Sequence, residues 1–233
     1  IVAADSPGFV VNRILFPYLD EAVRLHCEGV SPTEIDRAMT QFGMPMGPLE
    51  LLDQVGLDVA AQVAEQLGGL SSQASPTAEA LREMVSRGLL GRKSGSGFYT
   101  YSRGKKSRPT PRVQHEAPVI NHGMVPASVF HLARATTISP DDVRDRIALR
   151  LVNEAAKCLQ ESVVSEPWMV DLAMVLGTGF APFTGGPLRL CELRGLGDIV
   201  AKLEYFEKTL GPRFAPASWL IDQIEHSNER HLS

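Results

Sequence analysis

The chain has 233 residues, of which 44% are hydrophobic and 21% are charged, and its formal net charge at pH 7 is −4. This composition is typical of a globular protein with one large core or two small ones, and it excludes a disordered chain. The mild acidity disfavours nucleic acid as a partner, and no apolar run reaches membrane-spanning length. Three scattered cysteines are neither paired nor spaced like metal ligands, so we predict buried thiols in a reducing compartment and no metal site.

The chain begins with Ile, and its first four residues form a short apolar run that ends at Asp5. We interpret this run as the last strand of a preceding sheet, so we expect the chain to be a piece of a longer protein. Ser6 and Pro7 then form a helix-start signal, because Ser can accept from free N–H groups and Pro tolerates the first helical position. The first helix is expected from Pro7 towards Glu28, with Pro17 inside it.

Asn12 lies in the middle of the apolar stretch of this first helix. Asn is a poor helix former, and burying it costs free energy unless its amide is satisfied. Two interpretations are open. The amide either bonds to nearby backbone, as most lone buried amides do, or is held ready for a carbonyl or hydroxyl of a ligand.

Start and stop signals predict a series of further helices. Ser31 with Glu34 three residues later opens the second helix, which ends at Gly43. Two prolines and a glycine predict a bend at residues 44–48, and shorter helices are expected at 48–55, 58–67 and 78–87. This series of short amphipathic helices predicts an all-α fold.

Residues 88–99 are rich in glycine and contain the sequence GRKS. A phosphate-binding loop is excluded, because its Lys must directly follow its last Gly, after a strand and before a helix. Here Arg92 intervenes and a helix comes first. A glycine-rich turn with exposed basic residues is therefore predicted.

Two stretches resemble L-3-hydroxyacyl-CoA dehydrogenases, the NAD-dependent enzymes of fatty-acid β-oxidation. Residues 6–13, with the sequence SPGFVVNR, are similar to the start of the C-terminal domain of that family, and residues 91–99, GRKSGSGFY, are similar to the stretch that closes its first helical unit. In the family the Asn of the first motif contacts the substrate in the active site. The resemblance therefore implies a catalytic role for Asn12 and substrate binding by Ser6, Phe9 and Asn12.

The segment 101–137 is rich in proline and loses periodicity, and its basic side chains have no acidic neighbour before Glu116. The usual explanation is a solvated linker. A second interpretation is contact with the phosphates of coenzyme A or with a partner subunit. The basic side chains are those of Arg103, Lys105, Lys106, Arg108 and Arg112.

The second half of the chain, which opens with a capped helix at Ser139 and Pro140, repeats the first. We therefore predict two copies of one helical unit: residues 1–101 form the first domain, 102–137 a linker, and 138–233 a second, degenerate copy. The matched pairs include Arg13 and Arg146, Glu21 and Glu154, Glu28 and Glu161, Asp36 and Asp171, Met39 and Met174, and Gly47 and Gly186.

Two copies that each expose an apolar face are expected to bury those faces against each other as a pseudo-dimer. The copies are not equivalent, because Asp145 stands where the first copy has Asn12, and the sequence SPGF has no counterpart. We expect the second copy to be structural and to supply packing and a wall of the acyl-CoA cleft.

The resemblance implies oxidation of an L-3-hydroxyacyl-CoA to the 3-ketoacyl-CoA with NAD. No Gly-x-Gly-x-x-Gly follows a strand in this sequence, and its six histidines match no part of the His–Glu motif of the family. We therefore expect a missing N-terminal nucleotide-binding domain to bind NAD and supply the base, and this chain alone to be inactive. The implied partners are acyl-CoA, that domain and a thiolase subunit. The implied location is the cytoplasm, or the mitochondrion or peroxisome in a eukaryote.

Two other functions stay open. The chain could be a stand-alone helical binding or scaffolding module that kept the fold and lost the chemistry, which the coding sequence upstream would decide. It could also belong to a related dehydrogenase that acts on hydroxy acids without coenzyme A, which affinity for acyl-CoA against the free acid would decide.

Overall fold

The computed structural model describes residues 8–68, 76–103, 105–110 and 138–231. These residues are mostly helical, and the sheet among them is a single two-stranded hairpin, so the predicted all-α fold class is confirmed. The predicted strand at residues 1–4, Ser6 and most of the predicted linker lie outside the described residues. The elements are α1 (Phe9–Cys27), α2 (Pro32–Phe42), α3 (Pro48–Val55), α4 (Leu57–Gly68), α5 (Pro76–Ser86), β1 (Tyr99–Ser102), β2 (Lys105–Pro109), α6 (Pro140–Gln160), α7 (Pro167–Thr178), α8 (Pro187–Arg194), α9 (Leu196–Leu210) and α10 (Ser218–His231).

The predicted start and stop signals explain the helix boundaries. Six of the helices begin with a proline, which lacks the N–H that would be unsatisfied at that position. The predicted capping box is present: the Ser31 N–H donates to the Glu34 carboxylate at 3.1 Å, and the Glu34 N–H donates to Ser31 Oγ at 3.2 Å. Gly43 ends α2 at a φ of 116°, a left-handed conformation that side chains disfavour.

The hairpin of β1 and β2 was not predicted, because the basic sequence of β2 has no alternation of apolar and polar residues. The two strands pair antiparallel, with Tyr101 opposite Lys106. Asp53 holds β1 and the residue before it: its carboxylate accepts from the N–H groups of Phe98 and Tyr99 at 2.8 and 2.9 Å and from the Tyr101 hydroxyl at 3.0 Å. A side chain 46 residues away from Tyr99 therefore forms part of this strand's support, which local sequence does not reveal.

Contacts divide the chain into two compact units. One comprises Ile1–Glu21, Arg37–Gly47 and Pro140–Ser233, and the other comprises Ala22–Asp36 and Pro48–Ser139. The predicted domain boundaries follow the sequence repeat instead of this division, and they stay a prediction.

Within the first unit, α1 and α6 exchange ion pairs. Arg13 Nε lies 2.9 Å from Glu154 Oε1, and Arg146 pairs with Glu21. Since Arg13 matches Arg146 and Glu21 matches Glu154 in the repeat, each copy gives its Arg to the Glu of the other copy. Such reciprocity is characteristic of an isologous interface, and it supports the predicted pseudo-dimer.

A matched aspartate caps a helix in each copy. In the second unit, Asp36 accepts from two backbone N–H groups in the first turn of α3 at 2.9 and 3.1 Å, and from the Tyr99 hydroxyl at 2.8 Å. In the first unit, Asp171 accepts from the corresponding N–H groups of α8 at 2.7 and 3.2 Å. The two caps show that α2 and α7 are equivalent helices of the repeat.

Candidate functional site

The first turn of α1 carries the predicted site residues that lie within the described part of the chain. Phe9 and Asn12 are both exposed, and their spacing of three residues places them on one side of the helix. Val10 and Ile14 are buried and fix the opposite side in the core. The structure therefore brings Phe9 and Asn12 together, whereas Ser6 lies outside the described residues.

Phe9 has an unusual backbone and an unusual exposure. Its φ is +50°, which costs a residue other than glycine about 1–3 kcal/mol. Its side chain is 67% exposed, although an aromatic ring is normally buried. Strain combined with an exposed ring is typical of a residue that contacts a ligand or another domain.

The amide of Asn12 is exposed and makes no hydrogen bond within the described residues. Within those residues the amide is not satisfied by nearby backbone, and its availability to a ligand stays a prediction. An amide can donate through its NH₂ group and accept through its carbonyl. The start of α1 also carries the positive end of the helix dipole, which stabilises a ligand oxygen with partial negative charge.

Arg13 fixes the start of α1 against α6. Its guanidinium lies 2.9 Å from Glu154 and 2.8 Å from Glu161. Burial alone would lower the pKa of Arg13, but hydrogen bonds to the two carboxylates raise it above its ordinary value, so the pair stays ionised. Sequence reasoning missed this positioning role, although the Arg and Glu residues that recur at one offset were its signal.

The residue that matches Asn12 in the second copy has a different environment. Asp145 is buried, and its carboxylate lies 2.7 Å from Arg194 and 3.1 Å from Arg144. Burial would raise the pKa of Asp145, but the hydrogen bonds and charge of Arg194 hold it below its ordinary value. An ion pair therefore occupies the position where the first copy has an available amide, which supports a structural role for the second copy.

A groove of about 360 Å³ lies beside α7, and no sequence motif predicted it. It includes none of the predicted site residues. Its lining consists of Trp168, Asp171, Leu172, Val175, Pro182, Gly185 and Arg189.

The described residues do not fit a dinucleotide. Their only sheet is an antiparallel hairpin, whereas a dinucleotide site requires a parallel β-α-β unit with a glycine-rich turn. In these same ranges, no group of three or more His, Cys, Asp or Glu side chains could hold a metal ion. None of the described helices combines the length and the apolar character that crossing a membrane would need.

Comparisons with known proteins show the family of the chain. The family model for the 3-hydroxyacyl-CoA dehydrogenase C-terminal domain matches residues 8–101 and 143–230. The chain is 38% identical over 226 residues to the fatty acid oxidation complex subunit alpha of Idiomarina loihiensis, and this match covers 97% of the chain and 30% of the relative. The chain thus spans less than a third of the length of that curated relative.

Two solved structures share the fold. The 3-hydroxybutyryl-CoA dehydrogenase of Escherichia coli aligns with a TM-score of 0.69 and 26% identity, over 94% of this chain and 60% of the other. The dehydrogenase part of multifunctional enzyme 1 from C. elegans aligns with a TM-score of 0.68 and 26% identity, over 95% of this chain and 49% of the other.

Proposed function

Because this chain belongs to the 3-hydroxyacyl-CoA dehydrogenase family, we propose that it forms the substrate side of an NAD-dependent L-3-hydroxyacyl-CoA dehydrogenase of fatty-acid β-oxidation. The observation that carries this proposal is the exposed amide of Asn12, which makes no hydrogen bond to the described part of the chain, beside the exposed ring of Phe9. Asn12 contacts the oxygen at C3 of the acyl-CoA, and Phe9 shields that end of the substrate from water.

The chemistry of an amide suits both ends of this reaction. The substrate carries a hydroxyl at C3, which donates a hydrogen bond, and the product carries a ketone, which only accepts. The carbonyl of Asn12 can accept from the first, and its NH₂ group can donate to the second. An ionised Asp at this position would lack the donor, which is the difference between Asn12 and Asp145.

The chain needs a further domain for turnover. Oxidation removes a hydride from C3 and a proton from the hydroxyl, so it requires a hydride acceptor and a base. The sequence around His26 and His226 matches no part of the His–Glu motif of the family, so we do not assign the base to either of them. We assign NAD binding and the base to the nucleotide-binding domain predicted upstream, and we expect no NADH production by this chain alone.

Titration of acetoacetyl-CoA, a 3-ketoacyl-CoA, tests the role of Asn12. We expect weak binding to the 233-residue chain and a roughly fivefold loss of affinity in Asn12→Ala, because one hydrogen bond contributes about 1 kcal/mol. Gln41→Ala, an exposed amide elsewhere on the surface, is the matched control and should bind like the wild type. If the chain alone does not bind, the same variants are compared by kcat/KM in the longer protein with the upstream domain. Equal values for wild type and Asn12→Ala would refute the role of Asn12.

The domain organisation and partners belong to the same proposal. The two ranges that the family model matches support a first domain at 1–101, a linker at 102–137 and a second copy at 138–233. The relative from Idiomarina is named as a subunit of a complex, which supports a partner subunit; we propose a thiolase subunit and a cytoplasmic location. Copurification of the longer protein with that subunit tests the partner.

A stand-alone binding or scaffolding module is the second candidate function. The exposed apolar side chains of α7 favour it, since a scaffold needs a surface for other proteins. NADH production by the longer protein from an L-3-hydroxyacyl-CoA would exclude this candidate.

A further inference from the structure

Helix α7 presents an apolar ridge to solvent. Trp168, Leu172 and Leu176 are 55%, 41% and 77% exposed, and their spacing of four residues places them in one row along the helix. Val170 and Met174, on the other side of α7, are fully buried. The groove beside the helix has Trp168 and Leu172 in its walls, so the ridge and the groove form one continuous surface.

The repeat supplies an internal control for this ridge. Helix α2 is the counterpart of α7, since Asp36 and Asp171 make the same cap and the matched Met39 and Met174 are both fully buried. The positions of α2 that match the ridge carry Thr33, Arg37 and Gln41, which are exposed and polar. The fold therefore does not require apolar residues there, and the ridge is a property of the second copy alone.

Exposed side chains of this kind indicate a surface that another part of the protein covers. Full burial of one large apolar side chain stabilises the folded protein by about 1.5–3 kcal/mol, and an exposed side chain does not provide this stabilisation. A 12-residue helix is about 18 Å long and about 10 Å wide, so its footprint is near 180 Å². A stable interface between separate molecules buries about 800 Å² per partner. The ridge is too small for a dimer of this chain, but it suffices for a tethered partner at high effective concentration.

The start of α1 lies beside the C-terminal end of α7. Val11 packs so closely on Gly177 that a Cβ on that glycine would come within 3.1 Å of Val11 Cγ2. The first turn of α1 thus lies next to the C-terminal end of the ridge. The curated relative has a large length of chain outside the match, because this chain spans only 30% of it.

We propose that the apolar ridge of α7 is the docking surface for the nucleotide-binding domain that precedes this chain in the complete protein. This inference rests on the proposed function, which places that domain upstream. The ridge holds the domain on the side where α1 begins and where Asn12 is exposed. The second copy therefore positions the domain that completes the site of the first copy.

Amide hydrogen exchange in the longer protein, which includes the upstream domain, tests the inference. We expect α7 to exchange at least tenfold more slowly there than in the 233-residue chain. The variant Trp168→Thr, Leu172→Arg, Leu176→Gln introduces the residues that α2 carries at the matched positions. It should remove the difference in exchange and lower kcat/KM about tenfold. The control Thr33→Ala, Arg37→Ala, Gln41→Ala should leave both unchanged.

The outcomes separate this inference from the proposed function. Equal exchange of α7 in the long and short proteins, with dehydrogenase activity intact, overturns the inference and leaves the proposed function standing. Slow exchange of α7 without any dehydrogenase activity overturns the proposed function. Slow exchange already in the short chain, with a dimer by sedimentation, shows that a second copy covers the ridge and also overturns the inference. The wild-type comparison needs no variant, so a folding defect of the triple variant does not affect it.

Discussion

The reciprocal ion pairs of α1 and α6 predict that two matched arginines contribute unequally to stability. The Arg146 and Glu21 side chains are 3% and 0% exposed, whereas those of Arg13 and Glu154 are 17% and 14% exposed. Removing one partner of a buried pair leaves an unpaired buried charge and costs about 3–5 kcal/mol. Glu21 would keep Arg213 at 2.8 Å, so we expect the lower end, about 3 kcal/mol, for Arg146→Met.

Arg13→Met is the matched control at the equivalent position of the other copy. Glu154 would keep solvent contact and Lys157 at 3.6 Å, so the expected cost is about 1 kcal/mol, nearer to that of a surface pair. The free energy of unfolding is measured by urea titration at pH 7 with far-UV circular dichroism. Adding Glu21→Gln to Arg146→Met should recover about 2 kcal/mol, because it removes a fully buried carboxylate that has lost its buried partner. Equal costs for the two arginine variants, or no recovery in the double variant, would refute the reasoning.

Two further predictions concern the second unit. Asp53→Ala removes the acceptor for two N–H groups and the Tyr101 hydroxyl. The free energy of unfolding should therefore fall by about 2–4 kcal/mol, and the amides of β1 should exchange faster with solvent. Unchanged amide exchange in β1 would contradict this prediction. Burial raises the pKa of Asp36 to about 6, and its hydrogen bonds offset only part of that effect. Because the folded chain then binds this proton more tightly than the unfolded chain, where the pKa is about 3.9, the resulting stability is full below pH 4 and is lost as the pH rises through 6. The loss is up to about 3 kcal/mol, and urea titrations between pH 4 and 6.5 should show it in the wild type but not in Asp36→Asn; parallel curves would count against it.

Local signals in the sequence predicted the helices of the first half well. Proline at helix starts, glycine after helix ends and the Ser31–Glu34 capping box act within one turn of the chain, so one sequence suffices to detect them. Asn12 is exposed at the start of α1. Its role toward a ligand stays a prediction, which came from the family motif and not from helical periodicity.

Features that depend on distant partners could not be predicted in the same way. The hairpin is held by Asp53, far from it in sequence, and its basic second strand has no strand pattern. The apolar ridge of α7 was not predicted, because the helix is apolar on most sides. The periodicity of apolar residues then does not distinguish the buried side of the helix from the exposed side. The reciprocal ion pairs required two copies to be placed in space, although the repeat already contained their residues.

The exchange of ion pairs between α1 and α6 has a consequence for how such a chain can evolve. In a dimer of identical subunits, every substitution occurs twice, so a change that benefits a surface of one subunit also alters the equivalent surface of the other subunit. Here the two copies lie in one chain, and each can mutate alone. The first copy has a neutral amide at Asn12 where the second has the ion-paired Asp145, and the second has Trp168 where the first has Thr33. Because both copies lie in one chain, a substitution in one copy does not impose the same substitution on the other.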